Sequence, residues 1–566
     1  MTDQDEPREP IESREPATPE PATPEPATPE PATPEPAVSA GRVDPEQFVA
    51  APEDSDFTEI DPDVEPEANG PRPSALHVAG RVSVRVITGI FMVAVVAVVL
   101  AAASMVPLPS VPASSAVRGA PSTVVTPIPT AEQLVCPGGL LRLASASGKG
   151  ATKASSLGVA ATDAGASSGS VTSSAFSTSD AGTGGSAAAP QLLSSPPIAA
   201  GSKIPTIVAG AQSESISTDE FAGLASAACS APSADVWLSG GATSVGRTTL
   251  LMLANPSDVL ATVSIHIFGE NGAVTAPGTD GIIVAPHGQR VLSLAGFAPG
   301  LVSPVVHVQS AGGQVVATLE QSTVRGIQPG GMDFVGSSAN LERTTVIPGV
   351  AVTGTSAVQG QLGESGFEDL QTTLRVYLPG VKSAQVSVSV VSETGTLAGK
   401  AITAEVNAGK VTDLPIDSLP DGSYTIIVRA PVPVLASVRV STAGSAADAN
   451  RTDFAWLTSA PLLTTTALVT IATGMTPSIH FDNPTRKNET VTLTPVGAAD
   501  AAGSGEVTVT VPAGAAVTSP VVAGATYSLG GYTGLYAAVS GVTDGGVTGY
   551  VVSPAEQGST PIRVYG

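Results

Sequence analysis

Apolar and polar residues alternate with a period of two from residue 236 to the C-terminus. The apolar runs are short and rich in Val, Ile and Thr, and Gly, Asn, Asp and Pro separate them. Successive side chains of a strand point to opposite faces, so this pattern predicts half-buried β-strands joined by turns. We therefore expect an all-β region built from tandem β-sandwich-like modules.

The same succession of runs occurs three times, in residues 250–322, 374–441 and 479–553. Each copy begins with a strand broken by Asn-Pro or Pro-Gly, followed by a strand that ends in an acidic or Gly turn. A Pro/Ala-Gly turn and a closing hairpin follow. Strand-like runs also precede copies two and three, so each unit has about 100 residues, the size of a sandwich domain. The expected modules are 131–337, 338–449 and 450–566.

A different pattern stands nearer the N-terminus, where Val86 to Val106 form an apolar run of 21 residues without a charge. A helix of this length spans about 31 Å, close to the hydrocarbon thickness of a bilayer. We expect a single transmembrane helix at 86–106. Two alternatives stay open: a secretory signal cleaved after Ala101-Ala102-Ala103, and a buried core helix.

Positive residues set the orientation of this run. Arg72, Arg81 and Arg85 precede it, and the first positive residue after it is Arg118. The positive-inside rule then places the N-terminus in the cytoplasm. The expected location is the cell membrane, with a single pass and an extracytoplasmic C-terminal region.

The first 70 residues hold 20 acidic residues against three Arg, and PATPE repeats four times between Pro16 and Glu35. Such a segment has too much charge and too few apolar residues to fold, so we expect a disordered, Pro-rich cytoplasmic tail. Phosphorylation at the Thr-Pro sites stays open. Residues 107–130 are Pro-rich and predict a stalk.

Residues 144–213 are rich in Ser, Ala, Gly and Thr, and we expect a flexible insertion in the first module. The two cysteines of the chain, Cys136 and Cys229, bracket this stretch. Outside the cell such a pair predicts a disulfide, worth about 4–5 kcal/mol in the chain-entropy model. Two unpaired thiols are the alternative.

No motif carries a convincing catalytic or metal site, so we expect no enzyme and no cofactor. The GxSxG match at 165–169 lies in a Ser/Gly-rich tract, where such matches arise by chance. His266, His287, His307 and His480 lack the spacing of metal ligands and are expected to be strand-surface histidines. Glu364, Glu368 and Asp369 are expected to form a solvated acidic turn, with a Ca²⁺ loop as the alternative.

The two tryptophans lie at similar places, Trp237 in DVWLSGG before copy one and Trp456 in FAWLTSA before copy three. Both are expected as core anchors, since a buried indole removes a large apolar area from water. Stacking on a ligand is the alternative. Aromatic residues make up only 4% of the chain, which disfavours a carbohydrate site.

The runs WLSGGATSVGRTTLLMLANPSD, VSIHIFGENGAV, IIVAPHGQRVLSL and RTTVIPGV follow one another in an order that resembles a known family. It is an actinobacterial domain-of-unknown-function family of secreted, membrane-anchored proteins, and the resemblance covers about 131–566. It implies a place in the cell envelope and no established activity.

These observations favour a non-enzymatic, membrane-anchored envelope protein whose modules bind or scaffold other envelope components, protein or glycan. From residue 131 onward 29 acidic and 18 basic residues leave a net charge of −11, which argues against nucleic acid as a partner. Two alternatives stay open: an extracytoplasmic enzyme or accessory factor acting on cell-wall glycan or peptide, and a sensor that signals through the acidic tail.

Overall fold

The structure is a computed structural model that describes the C-terminal part of the chain. The described residues are 122–125, 131–143, 154–179, 181–182, 189–196, 206–395, 399–416, 419–444, 451–497, 505–555 and 562–565. The predicted tail (1–70), the transmembrane helix (86–106) and most of the stalk (107–130) lie outside these ranges. Among the residues inside them, no helix is long and apolar enough to cross a membrane.

The all-β class is confirmed. Strands make up most of the described chain, which holds one α-helix, α1 (Thr355–Gln361), and two 3-10 helices, Leu294–Gly296 and Glu368–Leu370. Eleven strands precede the first repeat copy. They are β1 (Ser122–Val125), β2 (Gln133–Cys136), β3 (Leu141–Leu143), β4 (Ala154–Ser156), β5 (Ala161–Ala166), β6 (Thr172–Ala175), β7 (Thr178–Ser179), β8 (Ala181–Gly182), β9 (Gln191–Ser194), β10 (Val208–Ser217) and β11 (Ala222–Ala228).

Strands β2 to β6 and β8 to β11 form the N-terminal layer, with small sheets in the orders β2-β9-β6, β3-β4-β8 and β11-β10-β5. Strands β4 to β9 and part of β10 lie in the stretch 144–213, for which the composition predicts a flexible insertion. The described part of that stretch forms strands instead, because its side chains can pack against the cores of other parts of the chain and it does not need a core of its own. Ala211 and Leu224 of this layer pack into the core of the third repeat copy, and Ile216 and Phe221 pack against the first.

The predicted disulfide is confirmed: Cys136 at the end of β2 is bonded to Cys229, which follows β11. Both residues are buried with Leu134, Leu193 and Val208. The bond joins the start of the N-terminal layer to its last strand, so the two ends of the layer are held together.

The first repeat copy folds as two packed sheets, the first sheet pair. Its strands are β12 (Asp235–Ser239), β13 (Arg247–Asn255), β14 (Ala261–Gly269), β15 (Gly272–Val274), β16 (Ile282–Val284), β17 (Gly288–Ser293), β18 (Val305–Gly312), β19 (Val316–Arg325) and β20 (Gln328–Val335). One sheet has the order β12-β18-β14-β15, with β16 also on β14, and the other has β20-β19-β13-β17-β7. Alternate residues of both sheets, such as Val263, Ile265, Leu251 and Leu319, meet in one core.

The second sheet pair follows the same plan. Its strands are β21 (Glu342–Val352), β22 (Thr373–Tyr377), β23 (Ala384–Ser392), β24 (Lys400–Val406), β25 (Val411–Pro415), β26 (Gly422–Ala443) and β27 (Thr452–Thr458). The first half of β26 pairs with β21 and β23, and its second half pairs with β22 and β27. One long strand therefore serves both sheets, where the first copy uses β18 and β19.

The third sheet pair repeats the plan with separate strands. They are β28 (Ala467–Thr470), β29 (Thr476–Asp482), β30 (Glu489–Val496), β31 (Val507–Val511), β32 (Ala516–Pro520), β33 (Thr526–Gly530), β34 (Tyr536–Thr543), β35 (Gly546–Val551) and β36 (Ile562–Tyr565). The sheets have the orders β28-β33-β30-β31 and β32-β29-β34-β35. Strand β36 pairs with β1, which lies in the predicted stalk.

Matching strands show where each copy ends. Strands β12, β21 and β28 open the three copies, and β20, β27 and β35 close them, each at the edge of its sheet. Because β27 pairs with β26, residues 452–458 belong to the second sheet pair, although the predicted boundary at 449/450 assigns them to the third module.

Trp237 lies on an opening strand and Trp456 on a closing strand, so the expected equivalence of the two tryptophans is wrong.

Two asparagines explain why Asn-Pro recurs in the repeat. The fully buried side chains of Asn255 and Asn483 each donate to carbonyl groups of the loop that follows, Val259 and Lys487 respectively. The Oδ1 atoms accept from the backbone N–H groups of Ser257 and Thr485. Each asparagine thus closes the loop between the first two core strands of its copy.

Four edge strands meet at the centre of the described region. Strand β11 packs against β20 and β35, and β27 packs against the same two strands, so the four close into a ring. Edge strands carry unpaired backbone N–H groups, which are costly when buried. The ring contains one such edge from the N-terminal layer and one from each sheet pair. The buried N–H groups of these edges therefore need hydrogen-bond acceptors.

Two buried aspartates at equivalent Asp-Phe positions supply these acceptors. Asp453 on β27 accepts from the N–H groups of Leu224, Val547 and Met332, one on each of the other three strands, at 2.9, 3.2 and 3.3 Å. Asp333 on β20 accepts from the Trp456 N–H at 2.7 Å and from the Thr548 hydroxyl at 3.3 Å. Through these two carboxyl groups each strand of the ring is bonded to another.

Close approach of the strands depends on glycine. Gly331, next to the Met332 N–H, has φ +105°, and a Cβ there would lie 2.7 Å from Asp453 Oδ1. A side chain at this position is disfavoured both by its backbone conformation and by the contact.

Removing the Asp453 carboxyl group should strongly destabilise the fold. In Asp453→Ala three buried N–H groups lose their acceptor, at a cost of about 1–3 kcal/mol each, so we expect the free energy of unfolding to fall by at least about 3 kcal/mol. Asp453→Asn keeps one oxygen and should lose less. Asp544→Ala, in the exposed turn after β34, should change it by under about 0.5 kcal/mol. Urea denaturation of the full-length chain measures all three, and equal effects for Asp453→Ala and Asp544→Ala would contradict the role of the carboxylate.

Buried carboxyl groups also predict how stability depends on pH. Burial raises the pKa of Glu214, Glu320 and Asp333, that of Asp453 to about 8 and that of Asp482 to about 7. Between the unfolded value near 4 and these raised values the folded chain binds more protons than the unfolded chain, so stability falls as pH rises, by about 1.4 kcal/mol per pH unit for each fully buried group that stays protonated.

We therefore expect a lower free energy of unfolding at pH 8 than at pH 5. Asp369 behaves differently: burial alone raises its pKa, but the arginines beside it lower that pKa to about 2. Its contribution to stability is therefore fully present above pH 4 and stays constant between pH 5 and pH 8. Asp453→Asn removes one raised group and should make the dependence less steep. Denaturation curves at several pH values test this, and a stability that rises toward pH 8 would show the sign to be wrong.

Candidate functional site

The four histidines have different surroundings. His266 and His307 face each other on neighbouring strands β14 and β18, as expected for strand-surface residues, with ring centroids 5.9 Å apart. His287 lies instead in a turn with φ +48°, and its Nε2 is 2.7 Å from Asp258 Oδ1. His480 is fully buried. The surface interpretation is therefore wrong for His480, and His287 is not on a strand.

His480 joins two groups in the order of a catalytic triad. Its Nε2 lies 2.8 Å from Ser540 Oγ and its Nδ1 lies 2.5 Å from Glu393 Oε2. The Glu393 carboxylate also accepts from the Gly349 N–H and the Thr425 hydroxyl. Ser540 is only 4% exposed and the Glu393 and His480 side chains are fully covered, so a substrate has no access to the hydroxyl. The arrangement connects the second and third sheet pairs.

We expect Ser540 to be inert and His480 to be structural. A fluorophosphonate probe should not label Ser540 in the folded chain. His480→Ala leaves Glu393 buried without its ring partner and should lower the free energy of unfolding by about 3 kcal/mol, whereas Ser540→Ala should cost about 1 kcal/mol. Mass spectrometry of the probe adduct and urea denaturation measure these effects. Labelling at Ser540 in the wild type, absent in Ser540→Ala, would reverse this assignment.

The acidic turn at 364–369 is not uniformly solvated. Glu364 and Glu368 are exposed, but Asp369 contacts three arginines: Arg247 at 2.9 Å, Arg325 at 2.6 Å and Arg439 at 3.4 Å. Arginine partners exclude a Ca²⁺ role for this carboxylate. No group of three or more potential metal ligands occurs among the residues that the structure describes.

A fourth arginine lies beside this group. Arg375 makes a bidentate ion pair with Asp413, with both N···O distances 2.9 Å. Its guanidinium also lies over the Trp456 ring at 4.5 Å, and that of Arg439 over the Phe454 ring at 4.4 Å. We call Arg247, Arg325, Arg375 and Arg439 the arginine cluster. A cavity of about 420 Å³ borders three of the four, together with Glu368, Asp369, Asp413 and Trp456.

No motif in the sequence indicates this cluster. The available signal is that Arg375 in LRVYL and Arg439 in SVRVS interrupt otherwise apolar positions of strands. Both side chains are nearly covered, at 2% and 6% exposure.

Trp456 is the predicted core anchor, 3% exposed, with its indole N–H donating to Gln321 at 2.7 Å. Trp237 is not: it is half-buried on the outer face of the first sheet pair and stacks on His307 with ring centroids 3.9 Å apart. Phe268 and Tyr377 lie 6.1 and 5.8 Å from it. His307 is held by Asp235 at 3.0 Å. The few aromatic side chains of this chain are thus partly concentrated here.

Trp237 borders a cleft of about 310 Å³, the central cleft. Its walls include residues 207–210 of the N-terminal layer, 235–237 of the first sheet pair, the linker 337–340, and residues 468–470 and 550–555 nearer the C-terminus. In the linker Ser338 has a buried hydroxyl without a hydrogen-bond partner. That oxygen is covered by protein atoms, so the features of the cleft open to a bound molecule are the half-buried Trp237 and the exposed Asn340.

Ser167 of the GxSxG match lies in a bend between strands β5 and β6. A nucleophile elbow requires a helix after the serine. The local structure does not have this form, and Ser167 Oγ accepts instead from the Ile207 N–H at 3.0 Å.

Comparisons with known proteins give a family and no activity. No curated protein matches the chain. A crystal structure titled Thermotoga maritima 1070 is similar over 21% of this chain and 95% of that one, with 18% identity and a TM-score of 0.17, too low to carry an argument. The model of a family of unknown function, DUF5719, matches residues 182–522, more than half of the chain. The chain therefore belongs to the DUF5719 family.

Proposed function

We propose that this protein is a non-enzymatic, membrane-anchored protein of the cell envelope, of the actinobacterial type, whose tandem β-sandwich modules bind or scaffold other envelope components. The observation that carries the proposal is the central cleft. Trp237 offers an aromatic surface there, and tryptophan is the residue type most enriched at binding hot spots. The exposed Asn340 side chain lies at the edge of the same cleft.

The architecture favours binding over catalysis. The cleft walls come from separate parts of the described chain, so the cleft depends on how these parts pack together. The carboxyl groups of the ring, whose pKa values burial raises, accept hydrogen bonds from the protein and do not line the cleft. Tyr550 lines the cleft and its pKa is also raised by burial, but its hydroxyl is bonded to the backbone of Thr470 and Ala472.

Membrane anchoring rests on the sequence. The apolar run 86–106, with Arg81 and Arg85 before it, favours a described region that lies outside the cytoplasm. The disulfide supports this location, because such bonds persist in oxidising compartments.

An enzyme or accessory factor acting on cell-wall glycan or peptide is the second candidate. The Ser540–His480–Glu393 arrangement is the observation in its favour, and the burial of Ser540 opposes it.

Crosslinking on intact cells tests the proposal. A photoreactive benzoylphenylalanine replaces Asn340, which lies exposed at the edge of the central cleft. We expect a discrete adduct with an envelope protein or glycan, reduced about tenfold or more by Trp237→Ala, since a hot-spot tryptophan contributes at least about 1.4 kcal/mol.

The matched control carries the same residue at Val381, which is 95% exposed in the loop between β22 and β23 and outside the cleft. Equal crosslinking from both positions, or an adduct that Trp237→Ala leaves unchanged, would contradict binding in the cleft.

Protease added to wall-stripped cells should digest the described region. Its protection would contradict the outward placement.

A further inference from the structure

The arginine cluster carries more positive charge than its carboxylates compensate. Four guanidinium groups meet Asp369, Asp413 and the exposed Glu368 at the rim. All three carboxyl groups have a lowered pKa and are therefore ionised at neutral pH. One positive charge is left over, in a region whose net charge is strongly negative.

Three members of the cluster are fully engaged in protein contacts. Arg375 bonds Asp413 through two nitrogens and donates to the carbonyls of Gly241, Pro304 and Val302. Arg325 bonds Asp369, Thr452 and the carbonyls of Gly366 and Gly330.

Arg247 is engaged in the same way. It bonds Asp369 and donates to the carbonyls of Val245 and Gly366. These three side chains need no further partner.

Arg439 is different. Its ion pair with Asp369 Oδ2 is long, at 3.4 Å, and that oxygen is already bonded to Arg247 at 2.9 Å. The Nε of Arg439 is buried without a hydrogen-bond partner, and the side chain is 7% exposed. A buried donor of a charged group without an acceptor is costly, so a native protein normally supplies a partner for it.

The Nε itself is covered by protein atoms, and the 7% of the Arg439 side chain that is exposed is the part that an anion can reach. The cavity of about 420 Å³ borders Arg439 together with Arg247, Gln371 and Thr373. This volume exceeds that of a single phosphate or carboxylate group, and falls in the range of small-molecule sites.

The geometry points to this cavity as a binding site for a small oxyanion, a carboxylate or phosphate group whose oxygens accept from Arg439. Arginine recognises both groups through charge-assisted hydrogen bonds. The single uncompensated charge fits one anionic group. Burial and the neighbouring arginines lower the pKa of Arg439 to about 10, as expected for a cation without a full counterion.

Calorimetric titration of the full-length chain tests the site, with sodium phosphate in one arm, sodium acetate in the other, and sodium chloride at equal ionic strength as the blank. We expect saturable binding of one anion per chain. Binding of phosphate alone identifies a phosphate-bearing ligand, and binding of acetate alone identifies a carboxylate. Binding of neither, or heats equal to those with chloride, would overturn the proposal.

Four variants locate the binding. Arg439→Gln should abolish it, and Arg343→Gln, exposed on β21, should leave it unchanged. Arg247→Gln frees Asp369 to pair with Arg439 and should weaken binding about tenfold or more. Glu368→Gln removes a rim carboxylate and should strengthen it.

The last two variants decide the question if Arg439→Gln fails to fold by circular dichroism. Both residues lie at the rim, and the expected effects have opposite signs. Affinity that changes in the same direction for Arg247→Gln and Glu368→Gln, or is the same in both, would show that the cluster charge does not bind the anion.

Discussion

The described structure depends on one constraint: four sheet edges are buried against one another, and their backbone donors need acceptors. In most β-proteins an edge is left in water or covered by a loop. Here Asp453 and Asp333 accept from the neighbouring strands instead. Because both side chains come from equivalent closing strands, the repeat itself places the acceptors where the edges meet.

Contacts between the sheet pairs are polar in the same way. Glu393 on one pair holds His480 on the next, and Asp369 gathers arginines from three strands of two sheet pairs. Such contacts add directionality that apolar packing lacks, since each requires one relative position of its partners. The cost is that each buried polar atom of these charged groups needs a partner, and the Nε of Arg439 has none among the described residues.

Strand positions, the threefold repeat and the disulfide could be predicted because they depend on local patterns: period-two alternation, Asn-Pro turns and a lone pair of cysteines. The role of Trp237 could not be predicted. A similar run follows each tryptophan, LSGG after Trp237 and LTSA after Trp456, although Trp237 lies on an opening strand and Trp456 on a closing strand. The described part of 144–213 departs from its prediction for a similar reason, because small side chains such as Ala211 are buried by a core that begins more than 200 residues later. The arginine cluster contains residues from β13, β19, β22 and β26, which are far apart in the sequence. No spacing of these residues in the sequence therefore predicts it.

The ring also has a consequence for the order in which the chain matures. Its first strand, β11, ends at Ala228 and its last, β35, begins at Gly546. A chain that emerges from its N-terminus can form the Cys136–Cys229 bond early, but it cannot close the ring until nearly all of it has emerged. Strands β11, β20 and β27 can pack on one another as each is made, but the ring keeps an open edge until β35 follows, 318 residues after β11 ends, and the nascent protein is exposed to mispairing at that edge over this interval.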